Sequence, residues 1–168
     1  QSRELPDIDP NLRLHGIPHA VFSYGVHLAG VEVDLLSGDI AVKHYLSVND
    51  CGRILNPQLF EQQVQGGIAQ GLGYALMEEI PVEKGKMKTV NFSTYLLPTA
   101  LDIPDMTVIA AGGHEATGPY GLKGVGEMPT SGPLPAVANA VADACGIRLR
   151  QFPMTPERVL AAMKKECP

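Results

Sequence analysis

At 168 residues, 45% of them apolar and 18% charged, the chain can build one core and is too apolar for wholesale disorder. Its net charge of −5, from 13 basic and 18 acidic side chains with no basic run, argues against binding nucleic acid by phosphate neutralisation. No apolar stretch approaches ~20 residues, which rules out a membrane-spanning helix.

Residues 1–19 are polar, hold Pro6, Pro10 and Pro18, and read as an extended arm or linker. From Ala20 the texture is that of a sheet. Val31, Val33 and Leu35 alternate with Glu32 and Asp34, the period of a half-buried strand, and Ser37-Gly38-Asp39 has hairpin-turn chemistry. An antiparallel hairpin is therefore expected, with a second strand running from Ile40 to about Asn49. Asn56-Pro57 reads as an N-cap and first-turn proline, opening a helix that extends to about Glu79 and is closed by Pro81. Phe60, Val64, Ile68, Leu72 and Leu76 form its apolar stripe, while Gln63, Gly66, Gly67, Gln70 and Gly73 fall on another side. Glycines 66, 67, 71 and 73 each cost a helix roughly 0.8–1 kcal/mol relative to alanine. Either another backbone or a polar ligand comes close there.

A strand is expected near Thr89–Tyr95 and another over Met106–Ala111. Pro135 should open an Ala/Val-rich helix closed by Gly146, and Thr155-Pro156-Glu157 a last helix ending near Lys165. The expected class is α+β: an antiparallel hairpin and mixed sheet, a long glycine-containing helix and two short C-terminal helices.

Glycine and proline, 18 and 14 residues, are in excess over the roughly 12% of average chains. The excess concentrates between Gly112 and Pro135, where seven glycines and four prolines crowd into 24 residues with only Glu115, Lys123 and Glu127 charged. Such a stretch must be fixed by its surroundings or by a ligand. If Glu127 is buried among these bare peptide groups, desolvation raises its pKa and suits it to act as a base near neutral pH. The alternative is a surface loop in which Glu127 pairs with Lys123. The histidines are scattered along the chain. Cys51, Cys145 and Cys167 form no C-x-x-C, so unpaired thiols in a reducing, cytoplasmic setting are expected. Nucleotide-binding and nucleophile-elbow patterns are absent.

Five motifs in order carry a resemblance: Val31-Glu-Val-Asp34 with Ser37-Gly-Asp39; Asp50-Cys-Gly-Arg-Ile-Leu-Asn-Pro57; Gln63-Val-Gln-Gly-Gly-Ile-Ala-Gln-Gly-Leu-Gly-Tyr-Ala-Leu76; Thr94-Tyr-Leu-Leu-Pro-Thr-Ala-Leu-Asp-Ile-Pro104; and Gly121-Leu-Lys-Gly-Val-Gly-Glu127. Over about residues 20–163 the chain resembles the C-terminal portion of the molybdopterin-binding large subunit of the xanthine dehydrogenase/aldehyde oxidase family of molybdenum hydroxylases. The resemblance implies a molybdenum–pterin cofactor, molybdopterin or its dinucleotide form, with no metal ligand from these side chains. It implies Glu127 as the general base when water-derived oxygen is inserted at an electron-poor carbon of an N-heterocycle or aldehyde. Gln63 is implied as a cofactor hydrogen-bonding residue, and Gly66, Gly67 and Gly126 as cofactor-facing backbone. Gln70 is expected to be structural, and Lys123 to hold the loop or the glutamate.

The family's earlier pterin-binding segments have no counterpart in these residues. Residues 20–168 are therefore expected to form a subdomain completed by a further molybdopterin-binding segment or subunit. Iron–sulfur clusters and FAD are expected on partner subunits or domains. The alternative role is a non-catalytic assembly module of such a complex.

Overall fold

The structure, a computed structural model, describes residues 21–166; the expected arm over 1–19 and Cys167 lie outside them. Strand β1 (Tyr24–Val33) pairs antiparallel with β2 (Ile40–Asp50), and a late strand, β5 (Asp105–Ala110), joins the other edge of β2 in parallel. The sheet is therefore mixed, in the order β1-β2-β5. Between β2 and β5 lie helix α1 (Pro57–Leu76) and a small hairpin of β3 (Val82–Glu83) and β4 (Lys86–Met87). Helices α2 (Pro133–Cys145) and α3 (Pro156–Glu166) complete the chain. The α+β expectation holds.

The expected stripe on α1 builds the core, except that at its end Ala75 is buried and Leu76 only partly so. Phe60, Val64, Ile68, Leu72 and Ala75 are buried with Val137 and Val141 of α2, Val159 of α3 and Tyr45 of β2. Asn56 caps α1, its side-chain oxygen accepting the Leu59 amide at 3.0 Å.

Four local expectations are corrected. Leu35 does not continue β1 but stands 64% exposed in the turn, because the Asp34 carboxylate captures the amides of Leu36 (2.8 Å) and Ser37 (3.3 Å). Helix α1 stops at Leu76 rather than near Glu79. The Gly73 carbonyl accepts the amides of both Met77 (3.0 Å) and Glu78 (2.8 Å), which closes the last turn well before Pro81. No strand forms over Thr89–Tyr95. Asn91 folds that segment into a turn, its side chain accepting the Ser93 amide (3.2 Å) and its carbonyl the Tyr95 amide (3.1 Å). Finally, α2 begins at Pro133, two residues before Pro135, with Gly132 as its N-cap; Gly146 ends it in the left-handed conformation, as expected.

The inner face of the sheet becomes polar towards the end of β2. Ser47 and Asn49 are fully buried and bonded to each other (2.9 Å), and His27 Nδ1 lies 3.0 Å from the Tyr45 hydroxyl. Burial lowers the pKa of His27 and raises that of Tyr45. A side chain on Gly132, at the start of α2, would collide with the His27 ring. This polar floor therefore supports the segment that follows Glu127.

Candidate functional site

The parallel strands β2 and β5 deliver their C-terminal ends to the same edge, and the glycine-rich loop leaves β5 from there. Its stretch Gly121–Lys123 is stitched to the segment after β2: Lys123 donates its amide to the Cys51 carbonyl (2.9 Å), and Arg53 its own to Gly121 (2.8 Å). Lys123 does not pair with Glu127. Its ammonium lies 2.7 Å from the Asp50 carboxylate, with the side chains only 11% and 29% exposed, and 5.2 Å from the centre of the Tyr24 ring. The hydrogen bond from Lys123, together with the Gly52 amide, lowers the pKa of Asp50, and the same bond raises that of Lys123.

Two further side chains hold the loop by its carbonyls. Ser23 Oγ donates to Gly124 (2.5 Å), and Gln63 Nε2, from α1, donates to Gly126 (2.8 Å). The Glu127 carbonyl in turn accepts the Thr130 amide at 3.1 Å, in a single 3-10 turn over Met128–Thr130. The backbone is thus held on both sides of Glu127, by the Gln63 side chain and by the Thr130 amide, while its carboxylate has no hydrogen-bond or ion-pair partner among the described residues. It is exposed, so the burial that would suit it to a base is not provided by these residues.

The glutamate borders a cleft of about 490 Å³ between α1 and the loop. The opposite wall is Gln62, Gln63, Gly66, Gly67, Gln70 and Tyr74; Gly126, Glu127, Thr130 and Ser131 form the loop side. All the expected site residues, Glu127, Gln63, Gly66, Gly67 and Gly126, therefore line one cleft. The glycines of α1 divide between the two readings open to the sequence. A Cβ on Gly67 would meet Pro129 at 2.9 Å, and one on Gly71 would meet Pro133 at 2.6 Å and the Thr130 carbonyl at 2.7 Å. Those two admit the loop's backbone. Gly66 has nothing within 4 Å and faces the open cleft, as does Gly126 on the loop. Gly73 accommodates the Glu78 carboxylate.

Gln70 donates to the Tyr74 hydroxyl at 2.6 Å on the cleft wall. Amides, hydroxyls and bare backbone are the donor set that a flat, hydrogen-bonding heterocycle such as a pterin requires, and Gly66 leaves room for it. Gln63 and Gly126 also border a second cleft of about 390 Å³, reached past Ile54, Phe60 and Leu122, so their hydrogen bond is the partition between the two. Ser23 and Asp50, as anchors of the loop, were not evident from sequence. Asp50 lies 73 residues from Lys123, and its signals in the sequence are its place at the end of β2 and at the head of the Asp50–Pro57 motif.

Residues 10–104 match the family model described as the molybdopterin cofactor-binding domain. The chain belongs to this molybdopterin cofactor-binding family. It is 36% identical over 148 residues to a probable xanthine dehydrogenase subunit of Bacillus subtilis (strain 168), covering 88% of this chain and 20% of that protein. It is 37% identical over 150 residues to the aldehyde oxidoreductase of Megalodesulfovibrio gigas, covering 89% and 16%. The fold is similar to the solved structure of quinoline 2-oxidoreductase from Pseudomonas putida 86, with a TM-score of 0.80, 33% identity, and coverage of 85% and 19%. This molybdopterin-binding chain thus spans about a fifth of the length of these relatives. No helix among its described residues is long and apolar enough to cross a membrane.

Proposed function

We propose that this chain forms one side of the molybdenum–pterin site of a hydroxylase. In this reading Glu127 is the general base for inserting water-derived oxygen at an electron-poor carbon of an N-heterocycle or aldehyde. The observation that carries the reading is the setting of Glu127: backbone fixed on both sides, carboxylate unpaired, facing a cleft whose far wall is Gln63 and the open Gly66. When bound, the molybdenum–pterin group, as molybdopterin or its dinucleotide, supplies the two-electron redox centre. Gln63, Gln70 and Tyr74 present hydrogen-bonding groups to that group, and Gly66 and Gly126 let it approach the backbone, whereas the place expected for it at Gly67 is taken by Pro129 and Thr130 of the loop. The Glu127 carboxylate takes up the proton released as oxygen is transferred.

Glu127, Gln63 and Gln70 are exposed, so water has to be excluded by polypeptide beyond these residues. A further molybdopterin-binding segment or subunit fills that role, and iron–sulfur and flavin subunits or domains accept the electrons. The free thiols of Cys51 and Cys145 suit a cytoplasmic location.

The test is Glu127→Gln in the complete enzyme. Turnover should fall by about 10²–10⁴-fold, the usual worth of a general base, while molybdenum content stays unchanged. Near-normal turnover would remove Glu127 from that role.

A further inference from the structure

The outer face of the three-stranded sheet, turned away from α1 and α2, changes character along its length. At one end Val26 stands opposite Val48, itself paired with Ile109, and Leu28 stands opposite Leu46. Tyr24, Val26 and Leu28 are 64%, 62% and 60% exposed. At the other end, past the irregularity at Gly30/Val31, the same face carries the Glu32–Lys43 ion pair (2.9 Å) and exposed His44. A solvated sheet face looks like that second half. An apolar row across three strands, Val26–Val48–Ile109, beside the two-strand row Leu28–Leu46 that ends at Thr107, is the mark of a face that another layer covers.

The apolar half is also the half next to the cleft. Tyr24 lies under the Lys123 ammonium, and its cross-strand partner is Asp50, the anchor of the Glu127 loop. Whatever sits on Val26 and Leu28 is therefore brought against the outer flank of that loop. We infer that this apolar half-face is the docking surface for the molybdopterin-binding polypeptide that completes the cofactor site. The relatives are about five times longer than this chain, so they carry ample polypeptide beyond the matched fifth to cover such a face. The inference rests on the proposed function in one respect, that further polypeptide closes the cleft. It does not depend on Glu127 being the base.

Hydroxyl-radical footprinting of the wild-type native assembly tests it, with Leu36, 91% exposed in the β1–β2 turn, as the internal reference. Val26 and Leu28 should lose most of their modification, while Leu36 keeps it. A photo-crosslinking residue replacing Val26 should join peptides of the molybdopterin-binding polypeptide outside these 168 residues, and the same residue replacing Glu32 should not. Val26 modified as readily as Leu36 would overturn the inference. So would crosslinks from Val26 to a second copy of this face, or to the iron–sulfur or flavin component alone. Because Glu127→Gln reads turnover and these experiments read contact, either idea can fail without the other.

Discussion

The side-chain amide of Gln63 donates to the carbonyl of Gly126, 63 residues away and one residue before Glu127, at 2.8 Å. The helix and the glycine-rich loop are joined at that point. Gln63 therefore has two tasks, since its Nε2 holds the loop and its remaining amide capacity faces the cleft.

Replacing Gln63 with alanine should separate those tasks. An exposed hydrogen bond of this kind contributes about 0.5–1.5 kcal/mol, so backbone amides around Gly126 should exchange up to about tenfold faster. Hydrogen–deuterium exchange reads this whether or not the cofactor is bound. Molybdenum retention should fall as well. Unchanged molybdenum occupancy with faster exchange would leave Gln63 a strut and remove it from the cofactor site.

Glycines 66 and 71 should respond to alanine in opposite senses. A methyl group at Gly71 would press on Pro133 and the Thr130 carbonyl, and overpacking of that kind costs about 1–3 kcal/mol. The melting temperature of Gly71→Ala should fall. Gly66→Ala meets no atom within 4 Å and should gain roughly 0.8–1 kcal/mol of helix stability. Its methyl group projects into the cleft, so molybdenum content should drop while the melting temperature holds or rises.

The Asp50–Lys123 pair sets a pH dependence. Because the folded-state pKa of Asp50 is depressed, its stabilisation is complete above the ordinary value of 3.8 and is lost as pH falls through the lowered one. Lys123, raised by the same bond, keeps its contribution below 10.5 and loses it as pH rises through its elevated value. Lys123→Met should therefore be less stable than wild type by a constant margin across the neutral range. That margin should shrink in acid below 3.8, as measured by urea unfolding at each pH.

The sequence was readable wherever one local signal decided the outcome. Asn56-Pro57 marked the start of α1, Gly38 and Gly146 marked a turn and a helix end, and the stripe from Phe60 to Leu72 marked the core. It misled where a polar side chain recaptured its own backbone: Asp34 took Leu35 out of β1, and Asn91 turned an expected strand into a bend. The glycine clustering drew attention to Glu127 and its loop, whereas Gln63 was singled out by the family resemblance. Their connections were not, because Lys123 could be matched to Glu127 by proximity in sequence, whereas the sheet offers it Asp50 instead. Likewise the glycines of α1 could not be sorted in advance. Only the path of the later loop shows that Gly67 and Gly71 admit protein while Gly66 stays open.

The parallel pairing of β2 with β5 also imposes an order of construction. During synthesis β1, β2 and α1 emerge first, and the edge of β2 that will hold Asp105–Ala110 must wait for more than fifty residues of chain. Until then that edge presents open hydrogen-bonding groups, which is where nascent chains mispair. Lys123 can reach Asp50, and Gln63 can reach Gly126, only once the chain beyond β5 has been made. The cleft therefore joins an early helix to a later loop, and its two walls exist together only when chain more than sixty residues apart has been brought to one place.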